Sequence, residues 1–321
     1  MSSPECRICG SANNHTTYQV KELMLGLRDE HEYFQCKDCG CLQITRIPDN
    51  LPDYYPSENY YSYDAPDSSN WLKQQLVKQR DSYAVMGESL PGRLLNLLMP
   101  NAKLSTLQPL NLSKQSRILD VGCGAGILLH SLRNIGFQNT LGIDPFNQQD
   151  IQYPNGLQIE QRDIFSESGE WDVMMFHHSF EHLPEQQHTL EKAYSQLAAG
   201  GTVLLRVPTV SSYAWQHYGV NWSQLDAPRH LFLHSVDSIN KLAEQTGFSV
   251  DKVVYDSNAF QFWGSEQYEQ DIPLRSENSW AESKEKSPFS AKEIKAFERR
   301  SRELNALNQG DQAAFYLRKS A

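Results

Sequence analysis

Residues 118–126 read ILDVGCGAG. An apolar run meets an acid, Asp120, and then Gly122, Gly124 and Gly126 follow at every second position. The segment from Ser116 to Gly122 has the continuous apolar character of a buried parallel strand. CGAG makes a tight turn, and ILLHSLRNIGF predicts a helix ending near Gly136. Strand, glycine turn and helix form the first unit of a doubly wound α/β sheet. Glycines without a Cβ let the backbone approach a ligand closely. A dinucleotide would place its pyrophosphate on the helix N-terminus. Three details favour a different ligand. Asp120 would repel a pyrophosphate but suits an ammonium or sulfonium group. The spacing is G-x-G-x-G rather than G-x-G-x-x-G. A second acid, Asp144, ends the next strand (TLGIDP), where it can accept both hydroxyls of a ribose.

With that pattern, ILDVGCGAG…GIDP resembles the first two motifs of class I S-adenosylmethionine-dependent methyltransferases. The resemblance continues in order through QRDIF (161–165), WDVMMFHHSFEHLPE (171–185), LAAGGTVLLRVP (197–208), TGFSVDKVVYD and AAFYLRK (313–319). It covers roughly residues 113–321 and implies a Rossmann-like seven-stranded sheet with an antiparallel last strand. Carried over by position, the cofactor would be lined by Asp120, Gly122, Cys123, Gly124, Gly126, Asp144 and Pro145. Asp163 would bond the adenine amino group and Ile164 lie against its ring. His177 and His178 would contribute from the fourth strand. In this resemblance Glu181 and His182 begin a helix after that strand.

Five of the six cysteines fall within the first 41 residues. Cys6 and Cys9 form one C-x-x-C, and Cys36 and Cys39 a second. Two such knuckles can complete a tetrahedron of thiolates around zinc. Four cysteine ligands close the site, so the metal would be structural. Reduced structural thiols or a redox pair are the alternatives. Cys41 reads as a buried thiol that could substitute as a ligand. HTTYQV and HEYFQC read as strands between the knuckles, as in a zinc ribbon, and His15 and His31 as ordinary residues. Residues 1–46 are therefore expected to form a zinc-ribbon-like module. Residues 47–112 then make a Tyr- and Pro-rich linker followed by connecting helices, and residues 113–321 the transferase domain. The linker tyrosines are expected to pack on the main domain, and one or more to edge a substrate site. Residues 70–99 have helical periodicity broken at LPG, with Leu72, Leu76, Tyr83, Val85, Leu94, Leu95, Leu97 and Leu98 as apolar faces. Residues 272–311 read as an insertion, charged and helical in its second half, that could cap the cleft or meet a partner subunit.

Methyl transfer to a hydroxyl needs an aligned nucleophile and a group to take its proton. Histidine suits the second task. The candidates are His178, His182 and His230, with Asp226 orienting His230. They include the loop YGVNWSQLDAPRHLFLHS (218–235). That loop resembles one in bacterial methyltransferases of surface-polysaccharide and other sugar biosynthesis, as does the pairing of a cysteine module with a Tyr-rich linker. On that resemblance Trp222, Arg229 and His230 would contact the acceptor, with Arg229 pairing a phosphate or carboxylate. An Asp226–Arg229 pair that merely pins the loop is the structural alternative. Sugar C-methyltransferases of this kind carry a further C-terminal domain. Here the chain stops after the seventh strand, so O-methylation of a sugar or glycan is the expectation.

The net charge is −10 and the pI about 5.5, which argues against broad binding to a phosphate backbone, so a nucleic-acid partner is not expected. The Asn-Pro-Pro-Tyr-like signature of base and glutamine methylation is absent after the fourth strand. No stretch approaches the roughly 20 apolar residues that span a bilayer. The N-terminus, MSSPECRICG, lacks the features of a signal peptide, which gives a cytoplasmic expectation. A quinone-precursor-like small molecule is the alternative acceptor. A non-catalytic zinc-ribbon interaction protein is the alternative class, and self-association is left open.

Overall fold

The computed structural model describes residues 4–55 and 71–320. Two sheets organise them. The first begins with the antiparallel hairpin β1 (Thr16–Lys21) and β2 (Glu30–Gln35), followed by β3 (Leu42–Ile44). Helices α1 (Trp71–Met86), α2 (Leu90–Leu98) and α3 (Ala102–Ser105) lead to the glycine motif. From there the chain alternates: β4 (Ile118–Val121), α4 (Ile127–Asn134), β5 (Thr140–Ile143), a short β6 (Ile151–Gln152), β7 (Gln158–Glu160), β8 (Trp171–His177), α5 (Gln186–Gln196) and β9 (Leu197–Pro208). It closes with α6 (Tyr213–Tyr218), β10 (Phe232–Leu233), α7 (Val236–Gln245), β11 (Phe248–Tyr255), α8 (Phe260–Glu269), α9 (Ala291–Ala306) and β12 (Gln312–Lys319).

The main sheet runs β11-β12-β9-β8-β4-β5-β7-β6. Strands β4, β5, β7, β8 and β9 are parallel, and β12 inserts antiparallel between β9 and β11. The expected seven strands are present, and the two-residue β6 adds an antiparallel eighth at the edge beside β7. The chain builds outward from β4 through β5 to β7, then crosses back to β8 on the other side of β4. That reversal is a topological switch point, where the carboxyl ends of neighbouring strands open a crevice for ligands. Leu119, Ile143, Met174, Leu205 and Phe315 are buried in the core that supports it.

The first sheet is not separate from the second. Its fourth strand is β10, which pairs Phe232 with Gln43 and Leu233 with Leu42. One continuous apolar cluster joins Val20, Tyr33 and Ile44 to Trp222, Phe232 and the main sheet. Pro273–Arg275 also reach back, as Leu274 and Arg275 donate their amides to the Leu23 and Met24 carbonyls. The N-terminal segment is thus bound into the fold along its length rather than tethered beside it.

The helical segment differs from its expectation. Ser89 caps α2 by accepting from the Gly92 amide, and Pro91 sits in the first turn, where its missing N–H costs nothing. LPG therefore starts a helix, and the break falls at Gly87–Ser89. Gly92 serves as the contact point between α1 and α2: a Cβ there would lie 2.3 Å from the Gln79 carbonyl oxygen. Val85 is buried as expected, while Leu72, Leu76, Leu94, Leu97 and Leu98 are exposed. In the insertion, α9 is the expected helix, opened by a reciprocal capping box between Ser290 and Glu293. Residues 56–64 of the tyrosine-rich stretch lie outside the described residues.

Candidate active site

The glycine turn is shaped by what stands opposite it. Gly122, at a φ of 71°, faces Ser179, whose Oγ donates to the Val121 carbonyl at 2.6 Å. A Cβ on Gly122 would come within 2.5 Å of Ser179 Cβ, so both backbone angle and space demand glycine. Gly126, at 72°, caps α4 with a Cβ position 2.4 Å from Ile159 Cδ1. Asp144 closes the cradle by accepting from the Gly124 amide at 2.8 Å and the Phe146 amide at 2.9 Å. Asn147 Nδ2 donates to the Gly124 carbonyl. Asp120 points from β4 into the same space, and its buried Oδ1 has no hydrogen-bond partner among the described residues. Burial first, then the nearby Asp144 charge, push the Asp120 carboxyl up to about 8, with Lys103 opposing. Burial also raises Asp144, offset by its two backbone donors.

Across the switch point, the end of β8 and the loop before β10 bring a second group together. Glu181 is wholly buried, with 0% exposure. His178 Nδ1 lies 3.3 Å from its Oε1 and His230 Nε2 3.9 Å. The rings of His182 and His230 meet edge to face at 4.7 Å. His182 Nδ1 bonds the Arg229 carbonyl at 2.9 Å, and His230 Nδ1 the Gln224 carbonyl at 2.8 Å. Carbonyls only accept, so both rings carry a proton on Nδ1 and turn Nε2 toward the shared space. Burial above all, then His230, pulls the His182 ring down to about 4, which keeps it neutral. Tyr55 reaches this group from the linker: its hydroxyl lies 3.1 Å from His182 Nδ1. Its ring stacks at 6.2 Å on Phe146, which is 75% exposed and follows the cradle's Asp144 by two residues.

The comparisons with known proteins follow this geometry. A family model described as "Methyltransferase domain" matches residues 92–253, just over half of the chain. The chain belongs to this family: it is a class I S-adenosylmethionine-dependent methyltransferase. No curated protein matches it. Solved structures similar to it include the cyclopropane synthase MmaA2 from Mycobacterium tuberculosis, at 14% identity over 79% of this chain and 100% of that one, TM-score 0.44. A putative sarcosine dimethylglycine methyltransferase from Galdieria sulphuraria is similar at 13% identity over 76% and 98%, TM-score 0.43. A SAM-dependent methyltransferase from Archaeoglobus fulgidus is similar at 18% identity over 72% and 100%, TM-score 0.41.

In the methyltransferase, the residues expected around the cofactor converge at the carboxyl ends of β4, β5, β7 and β8. Cys123 is half-buried in the turn, and Pro145 follows Asp144 out of β5. Asp163 is exposed after β7, with Oδ1 accepting from the amide and hydroxyl of Ser166, while Ile164 is buried. Both ring nitrogens of His177 are buried without a hydrogen-bond partner among the described residues. His178 adopts a φ of 54°, which turns its side chain toward Glu181. A cradle lined by two buried acids, one with an unpartnered oxygen, fits a cationic nucleoside and not a second anion.

The acceptor-side residues are placed differently from expectation. Trp222 is fully buried, and its Nε1 donates to Asp311 Oδ2 at 2.9 Å. Arg229 is 0% exposed and cannot meet an acceptor. Its guanidinium donates to Asp226 Oδ1 at 2.6 Å, Glu22 Oε1 at 2.9 Å and the Tyr54 carbonyl at 3.3 Å. Asp226 is held by Arg229 yet keeps Oδ2 3.8 Å from His230 Nε2, while the Gln224 carbonyl orients the same ring through Nδ1. The pinning alternative describes this pair. Glu22 and Arg206 escape the sequence reading; Glu181 enters it only as a residue that begins a helix, and Tyr55 only among the linker tyrosines expected to edge a substrate site. Arg206 is buried on β9 beside β8 residue His177, bonded through Nε to Asp256 Oδ2 at 2.6 Å, with Nη1 unpartnered. A lone arginine inside the apolar run VLLRVP was the available signal. Cys6, Cys9, Cys36 and Cys39 cluster with all sulfurs within 4.8 Å of one another, and Cys41 lies buried outside that set.

The Asp120 carboxyl gives a stability test on the ligand-free protein. The folded state holds this proton up to about 8, while an unfolded aspartate releases it near ~3.9. Between those values the native state binds more protons, so its stability falls as pH rises. Asp120→Asn should therefore be more stable than wild type by a few kcal/mol at about pH 8 and equal to it below about pH 4. Urea unfolding across pH reads this; curves that stay parallel would contradict it.

Proposed function

We propose that this methyltransferase transfers the methyl group of S-adenosylmethionine to a hydroxyl of a sugar or glycan. The observation that carries the reading is the Glu181–His182–His230 group, three side chains able to take a hydroxyl proton, set beside the cofactor cradle. The cofactor supplies an electrophilic methyl on a sulfonium. Asp120 would hold its ammonium, the ribose hydroxyls would bond Asp144, and Asp163 and Ile164 would receive the adenine. His177 and His178 would wall the methyl end. Burial keeps water from competing with the acceptor. The neutral His182 ring, with its Nε2 lone pair, suits activation of a hydroxyl. The exposed Phe146 ring, backed by Tyr55, offers an aromatic platform beside these polar groups, an arrangement that suits a polyhydroxyl acceptor.

The test is methyl transfer from labelled S-adenosylmethionine to a panel of nucleotide sugars and glycans, set against quinone-like phenols. The expected product is an O-methyl sugar. His182→Ala and His230→Ala should bind S-adenosylhomocysteine as wild type does and lose on the order of a hundredfold in turnover. Transfer to phenols alone, or variants with wild-type turnover, would sink the reading.

The four-cysteine cluster is proposed to hold structural zinc. Cys6 and Cys39, and Cys9 and Cys36, pair with sulfurs 3.6 Å apart, and bonds of about 2.3 Å in a tetrahedron separate sulfurs by about 3.8 Å. Gly10 and Gly40 donate to the Cys6 and Cys36 carbonyls in matching turns. Metal analysis should find about one zinc per chain, lost in Cys36→Ser together with folding; a folded, metal-free variant would refute it.

A further inference from the structure

The same active-site group has a property that proton transfer alone does not explain. One ligand atom each from Glu181, His182 and His230 lie within 4.8 Å of one another. All three are metal-ligand types. Among the described residues neither oxygen of the wholly buried Glu181 has a hydrogen-bond partner, and its nearest titratable neighbour is His178 Nδ1, 3.3 Å from Oε1. The Nδ1 protons of both rings are committed to backbone carbonyls, Arg229 for His182 and Gln224 for His230. What converges is a carboxylate and two Nε2 atoms, each ring held from behind through Nδ1. Such a buried charge is costly unless a cation or donor meets it.

We infer that Glu181, His182 and His230 form a binding site for a divalent transition-metal ion, separate from the four-cysteine site. The second-shell pattern matches. Metal-bound histidines characteristically donate their other N–H to a carbonyl or carboxylate, which fixes the tautomer and aims the lone pair. The separation is near what an ion needs. His230 Nε2 and Glu181 Oε1 stand 3.9 Å apart, too far for a hydrogen bond. Two bonds of about 2.0–2.2 Å to a shared ion span about 3.4 Å at a tetrahedral angle, so these atoms would close by about half an ångström on binding. Two imidazoles and one carboxylate select zinc, cobalt, nickel, iron or manganese over magnesium or calcium. Three protein ligands leave open positions for oxygens of a bound acceptor.

The role of this ion rests on the proposed methyl transfer, but its binding does not. An acceptor hydroxyl would coordinate through oxygen and become more acidic. Its proton would leave to His178 or to solvent. The oxygen would then form the O–CH3 bond as the S–CH3 bond breaks, its electron pair staying on the sulfur of S-adenosylhomocysteine.

The experiment titrates the full chain, zinc-loaded at the cysteines, with Co2+ and follows visible absorption and calorimetry. A second equivalent should bind with d–d bands and without the sulfur-to-cobalt charge transfer that thiolate ligands give. His182→Ala and Glu181→Gln should each lose it. Should either variant fail to fold, wild type alone decides, because Co2+ must broaden imidazole resonances that the zinc-loaded protein shows sharp. A wild type that takes up no second equivalent overturns the inference, as does a second equivalent that survives in both variants. Methyl transfer persisting in protein stripped of any second metal would overturn the ion's role and leave the transferase reading standing.

Discussion

Arg229 is the residue on which the histidine cluster and its loop depend. A fully buried guanidinium is tolerable only when its charge and donors are met. Here Asp226 from its own loop and Glu22 from the cysteine-bearing segment meet them. Glu22 is itself fully used, accepting from the amides of Leu25 and Leu27. Removing one partner of such a buried group costs about 3–5 kcal/mol, because the charge left behind stays unpaired. The pair therefore works less as a source of net stability than as a device that admits one arrangement of two distant segments.

Several local features follow from that arrangement. The Arg229 carbonyl holds His182, the Tyr33 hydroxyl holds the His230 carbonyl at 2.8 Å, and the Leu231 amide donates to the Glu181 carbonyl at 2.9 Å. β10 then completes the N-terminal sheet against β3. The histidines are thus fixed by backbone carbonyls that the N-terminal segment positions, which preorganises them before any ligand arrives. The cofactor cradle rests on a different principle. There the absence of side chains at Gly122 and Gly126 admits Ser179 and Ile159, and the parallel strands fix the acids at their ends.

This contrast explains what the sequence made legible. The cradle is local: strand, glycines, helix and the next strand's acid lie within 27 residues, Ile118 to Asp144, and their order alone carries the chemistry. The cysteine cluster is legible for a related reason, since two C-x-x-C knuckles leave few geometries. The acceptor side is non-local. No periodicity connects Glu22 to Arg229, and an arginine in a loop beside a tryptophan looks solvent-facing until the partner strand is in place. Trp222 and Arg229 were read as surface ligands for that reason. Tyr55 sat among tyrosines that composition could not tell apart. The helix boundary at Gly87–Ser89 was missed because a Pro–Gly pair normally signals a break, whereas here proline occupies a helix start and glycine a close helix contact.

The N-terminal segment holds the loop before β10 through the Arg229 ion pair, while the cradle stands apart from it. Amide hydrogen exchange on Glu22→Gln tests this most directly. Residues 226–234 should exchange on the order of a hundredfold faster than in wild type, with residues 118–127 unchanged. Protection of 226–234 at the wild-type level would contradict the account.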